Sequence, residues 1–181
     1  MWGTMKDEIN EWRSTLSLRP LEGFSWAPAP HVNLYSPLLS PRPKDWPAFV
    51  YDTGFWIFKD EAYIPPPELE AFLSEGEAPI YMGFGSMPTP DIAAMALMFS
   101  NACLALGKRG IFCSGWFETK GVLFASMPHM LHIVSAPHTY LLPRCCCAVH
   151  HGGAGTTAAT LRAGIPCVVF STLKTGILKF A

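Results

Sequence analysis

The 181-residue sequence predicts an α/β fold, a parallel sheet with helices on both faces, and three observations predict it. From Ala78 onward, short apolar runs alternate with helical patterns, as parallel strands joined by crossover helices require. Those runs are bounded by glycine, proline and other turn residues. Half of the residues are apolar and only 15% are charged, which supplies a core to bury and argues against an intrinsically disordered chain. The length suits one compact domain with an appendage.

In chain order, Ile9, Trp12 and Leu16 recur at helical spacing, so residues 5–17 read as a helix, one belonging to a preceding domain. Residues 20–67 are crowded with proline and aromatics, as in LRPLEGFSWAPAP, SPLLSPRPKDWPAF and YIPPPELE. Proline at that density prevents long helices, so this stretch reads as short strands and a linker, with NLYS and FVYDTGFWIF as the strands. Residues 1–75 are thus expected to be the end of an amino-terminal domain plus a Pro-rich linker, and residues 76–181 the sheet domain.

PIYMGFGSM reads as the first buried strand, after which Thr89, Pro90 and Asp91 offer an N-cap, a first-turn proline and an early acid. Ile92, Met95, Ala96, Phe99, Cys103 and Leu106 then lay out one apolar helix face, closed by Gly107 and Gly110. RGIFCSGW and MLHIVSA are the second and third strands, HTYLLPR a short helix and CCCAVHH the fourth strand. GGAGTTAATLRAG is a glycine-opened helix ended by Gly164 and Pro166, and PCVVFS is the fifth strand. The final TLKTGILKFA has no clear period.

Composition excludes some partners. A net charge of −1 and a pI near 6.6 provide no basic field for a phosphate backbone, so nucleic acid is not expected. Charges in every turn of MWGTMKDEINEWR break the apolar core a secretory signal needs. Apolar runs elsewhere stop well short of the ~20 residues that span a bilayer. The expectation is a soluble, cytoplasmic protein, with peripheral membrane contact left open. Cys103, Cys113, Cys145, Cys146, Cys147 and Cys167 form no CxxC pair, and read as reduced thiols acting as small hydrophobes.

The chemistry concentrates in AVHHGGAGTTAATLRAG, where two histidines and three glycines join a strand to a helix. Such a helix start offers free N–H groups and a positive dipole end, and glycine lets an anion approach the backbone. Thr156 and Thr157 add hydroxyl donors, and either His150 or His151 is placed to donate to a phosphate oxygen. A second glycine turn, GFGS at residues 83–86, closes the first strand at the same carboxyl edge, where open α/β sheets bind ligands. The two turns are expected to grip one ligand, with Ser86 as a hydroxyl donor. Neither is a GxGxxG fingerprint, and no Walker lysine follows.

HHGGAGTTAATLRAGIP resembles the donor-binding signature of GT-B glycosyltransferases of the UDP-sugar type. IYMGFGSM, SAPHTYLLPRC, SPRPKDW and DTGFW resemble the sterol 3-beta-glucosyltransferase branch, so the resemblance runs through residues 33–170. It implies a Rossmann-like GT-B carboxyl-terminal domain and transfer of a hexosyl group, glucose by the closest pattern, from a UDP-sugar to a sterol or other lipid or small-molecule hydroxyl. It implies that His151, Gly153, Gly155 and Thr156 hold the diphosphate, with Ser86 reaching it from the first loop and His138 beside the uracil. Trp116 is read equally as a donor neighbour and as a core residue. The UDP-sugar is a co-substrate, and no metal or other cofactor is implied.

The departures from that pattern are also informative. An acid-glutamine pair that binds sugar hydroxyls in the family is replaced here by STLKTGILKFA, and the amino-terminal acceptor domain with its catalytic histidine is absent. The chain is therefore expected to be truncated and inactive alone. His31, His129, His132 and His150 are not expected to be the base. Glu68, Glu70, Glu75 and Glu77 read as a solvated helix or loop, with no glycosidase-like pair. Two alternatives remain: a catalytically silent UDP-binding remnant, favoured by the divergent tail, and an NAD or flavin module, disfavoured by the missing fingerprint and acid.

Overall fold

The computed structural model describes residues 2–23, 30–57, 62–85, 87, 91–115 and 124–170. The chain divides into two compact units, Met1–Gly54 and Phe55–Ala181. In the first, α1 (Trp2–Thr15) begins and ends two or three residues earlier than its apolar spacing suggests. Two three-residue strands, β1 (His31–Asn33) and β2 (Val50–Asp52), pair in parallel. The first lies ahead of the expected NLYS, sharing only Asn33 with it, and the second keeps only the early part of FVYDTGFWIF, while Arg42 donates to the carbonyls of Pro47 (2.6 Å) and Val50. Asn33 also donates to Asp52 across the pair, at 2.9 Å.

The second unit carries the sheet. β3 (Ile80–Gly83), β4 (Gly110–Cys113), β5 (Met130–Ile133), β6 (Cys147–His150) and β7 (Cys167–Val169) are all parallel, in the order β5-β4-β3-β6-β7. β3 is buried along its whole length, as a central strand covered on both faces must be. On one face, α3 (Ile92–Ala105) packs Ala96, Phe99 and Cys103 on Ile80, Met82 and Phe112. On the other, Leu69 of α2 (Pro67–Ser74), Leu141 of α4 (His138–Leu141) and Leu142 enclose Tyr81, Ile111 and Ala148. Ala159 and Ala163 of α5 (Ala154–Ala163) pack against that same cluster. The Rossmann-like sheet with helices on both faces is thus present.

Two local readings change. The helix after β3 is capped by Asp91, whose carboxylate accepts the Ala94 N–H at 2.8 Å, so the acid expected inside the first turn is the cap itself. Thr89 and Pro90 lie outside the described residues. Glu70, expected to be solvated, takes a bidentate ion pair from Arg144 (2.6 and 2.7 Å) and a hydrogen bond from Tyr140. Those bonds hold its carboxyl down at about 2.

Chain order also creates the site. From β3 the chain moves outward through β4 to β5, then returns to lay β6 on the other side of β3. Crossovers therefore diverge between β3 and β6, and the crevice outside the carboxyl ends of such strands is where open α/β sheets bind ligands. No helix among the described residues is long and apolar enough to cross a membrane.

Candidate functional site

Register brings the two glycine turns together, because Gly83 at the end of β3 pairs with His150 at the end of β6. Beyond them, Gly85 turns with φ +58 and Gly152 with φ +86, conformations that favour glycine. A β-carbon on Gly85 would lie 3.5 Å from His151 Cε1, and one on Gly153 would lie 2.4 Å from His151 Nε2. The His151 imidazole therefore occupies the space that a side chain at Gly153 would need, and stands within ordinary contact distance of Gly85. A third turn joins them: a β-carbon on Gly115, after β4, would meet the Gly85 carbonyl oxygen at 2.7 Å.

Gly153 is the N-cap of α5 and supplies no side-chain acceptor, so the first N–H groups of the helix keep their free ends. Gly155, in the first turn, is exposed, with no atom within 4 Å of where its β-carbon would stand. Thr156 is half-buried beside it. Thr157 is not available as the sequence suggested: its hydroxyl donates to the Gly153 carbonyl at 3.0 Å. The two histidines also separate. His150 is fully buried and its Nδ1 accepts the Gly152 N–H at 3.0 Å, whereas His151 stands partly exposed between the glycine turns.

Burial sets the charge of these rings. It pushes His150 down to about 4, helped by neighbouring His151 and His138, and lowers His151 as well. Both rings are thereby biased towards the neutral form, in which one nitrogen still donates. His138, the first residue of α4, shares a hydrogen bond between Nε2 and the Tyr81 hydroxyl at 3.2 Å, so its ring is engaged with the interior. The Tyr81 hydroxyl in turn lies 2.1 Å from where a β-carbon on Gly83 would be, so glycine there lets Tyr81 reach His138.

The other histidines are structural. His129 pairs with Ser100 Oγ at 3.0 Å, His132 pairs with Ser114 Oγ at 3.0 Å and stacks on Phe124, and His31 lies against Phe49 in the first unit. All six cysteines are free thiols, and burial pushes Cys145 up to about 12, far from a reactive thiolate. Ser86 and Trp116 lie outside the described residues. Tyr81 and Gly115 were not singled out from sequence. Gly115 carried a usable signal, being a glycine at a strand's carboxyl end like Gly83 and Gly85.

Comparisons with known proteins show what the chain resembles. Residues 117–178 match the family described as "Erythromycin biosynthesis protein CIII-like, C-terminal domain". A sterol 3-beta-glucosyltransferase of Arabidopsis thaliana is 37% identical over 176 residues, covering 93% of this chain and 28% of the relative. Among solved structures, the glycotransferase of kitacinnamycin superposes with a TM-score of 0.69 at 17% identity, covering 96% of this chain and 45% of that one. A variant of Os79 from O. sativa, solved in complex with UDP, gives 0.52 at 14% identity, covering 67% and 31%. The chain is therefore similar, along most of its own length, to part of curated glycosyltransferases, and it shares the Rossmann-like fold of the corresponding part of solved ones. Sterol 3-beta-glucosyltransferases, plant and fungal, match it along 93% of its length. The chain spans 12% to 28% of the length of these curated relatives.

Proposed function

We propose that the described sheet unit is the donor-binding part of a UDP-sugar-dependent hexosyltransferase, acting on a sterol or another lipid or small-molecule hydroxyl. One observation carries the reading: the uncapped N-terminus of α5 and the partly exposed His151 converge, between two glycine turns, on the crevice between β3 and β6. That arrangement suits a nucleoside diphosphate. Free N–H groups and the helix dipole meet its charge, and the open backbone at Gly155 leaves room for its oxygens.

In this reading His151, Gly153, Gly155 and Thr156 hold the diphosphate, Ser86 adds a donor from the first loop, and the loop at His138 lies beside the uracil. As an acceptor hydroxyl gives its proton to a general base and attacks the anomeric carbon, the bond to UDP breaks and negative charge grows on the leaving diphosphate. Preorganised donors at that point lower the barrier, and losing one such donor typically costs about 3 kcal/mol. Six free thiols support a reducing, cytosolic setting, and a lipid acceptor implies work at a membrane surface.

Calorimetric titration of the chain with UDP, UDP-glucose and NAD tests the reading. Binding of UDP and UDP-glucose without NAD is expected. NAD binding in preference to UDP would replace it with a dinucleotide-binding function.

A further inference from the structure

Of the two histidines at the end of β6, the one turned away from the crevice has a role that can be derived. His150 follows Ala148 on the same sheet face and is fully buried. Its Nδ1 accepts the Gly152 N–H at 3.0 Å, and a ring nitrogen that accepts carries no proton, so the proton resides on Nε2. Nε2 is buried with no hydrogen-bond partner among the described residues. The one polar contact of the ring is therefore spent on the backbone of the turn.

The carbonyls on either side of the Gly152 amide are held elsewhere, His150's by the Phe170 N–H and Gly153's by Thr157, so the Gly152 N–H itself rests on the ring. Gly152 sits at φ +86, and Val169 Cγ1 occupies the place a β-carbon would take, 2.9 Å away. The next residue, Gly153, caps α5 with no side chain of its own, its carbonyl accepting the N–H and the hydroxyl of Thr157. The orientation of the Gly152 peptide decides where Gly153 enters the helix, and hence where the first N–H groups of α5 point.

We propose that His150 is a positioning residue whose hydrogen bond to the Gly152 amide holds the α5 N-terminus aimed at the diphosphate of the donor; this rests on the donor-site reading above. It touches no ligand. Leucine in its place fills similar volume but leaves the Gly152 N–H unpartnered and the turn free, so the loss falls on the diphosphate and spares the nucleoside. Asparagine keeps an acceptor: its Oδ1 takes the place of Nδ1, and no partner depends on Nε2.

The test uses the full chain, its His150→Leu and His150→Asn variants, UDP by calorimetry and uridine by NMR titration. His150→Leu is expected to weaken UDP about three- to tenfold, the span of one ordinary hydrogen bond, and to change uridine less than twofold. His150→Asn is expected to restore UDP affinity to within twofold of the wild type. Unchanged UDP affinity in His150→Leu, or equal losses for UDP and uridine, overturns the role. Ring nitrogen shifts of the wild-type chain decide even if a variant does not fold: a proton on Nε2 is expected, and one on Nδ1 overturns the inference. A wild-type chain that binds neither ligand defeats the donor-site reading itself, whereas one that binds UDP while the leucine variant matches it defeats only the role of His150.

Discussion

Replacing Gly153 with alanine separates what the glycine does for the fold from what it does for the ligand. Its φ of −60 and ψ of 141 are open to any residue, so the backbone does not demand glycine here. The neighbouring ring does: a methyl group on Gly153 would stand 2.4 Å from His151 Nε2 and 3.0 Å from Cε1, and the imidazole must swing away. On stability, alanine is a poorer N-cap than glycine by about 1 kcal/mol, and lower entropy of the unfolded chain returns about 0.4–1 kcal/mol. The net change is under about 1 kcal/mol. A hydrogen bond from His151 to a charged phosphate contributes about 1.5–3 kcal/mol, so UDP binding should weaken about 10- to 150-fold. His151→Ala should lose the same amount, and the double variant no more than either, because both remove one contact. Calorimetric titration with UDP, alongside thermal melts, measures this. A Gly153→Ala chain that melts normally and binds UDP within twofold of the wild type would refute the reasoning.

Three further outcomes are expected. Gly115→Ala combines a residue at φ +61 with a backbone oxygen 2.7 Å away and should lower stability by about 1–3 kcal/mol in denaturant unfolding; an unchanged midpoint would show that the Gly85–Gly115 approach is not rigid. Glu70 is held at about 2 against an ordinary 4.5, so the stability it contributes is complete above pH about 4.5 and is lost as the pH falls towards 2; Glu70→Gln should flatten that limb of the melting profile, and identical profiles would refute the ion pair's role. The outer side of α3 exposes Leu97, Met98 and Leu104 on a helix without a charged residue, so the chain is expected to self-associate in sedimentation, and Leu97→Lys with Leu104→Glu should reduce this while shifting stability by less than about 0.5 kcal/mol; a monomeric wild type, or association unchanged in the variant, would refute the role of this face.

Much of the fold was legible in the sequence because strand period, glycine punctuation and caps are local. IYMG, GIFC, MLHI, CAVH and CVV all fall inside the apolar runs read as strands. Strand order was not legible, since nothing local says that β6 returns beside β3, yet that return is what brings Gly85 to His151. The division of labour between His150 and His151 had the same cause: adjacent residues on a strand point to opposite faces, and only the sheet's surroundings decide which face is open. Thr157 was misread because a hydroxyl in the first turn can reach back to the cap carbonyl as easily as out to a ligand. The Glu70–Arg144 pair lies 74 residues apart in sequence and left no local trace.

The most direct test is where UDP binds, and a crystal structure of the chain with UDP would locate it. The diphosphate is expected in the crevice between β3 and β6, with its oxygens about 2.7–3.2 Å from the first amide nitrogens of α5 and from His151. UDP ordered elsewhere on the chain, with the α5 N-terminus and His151 untouched, would contradict the account.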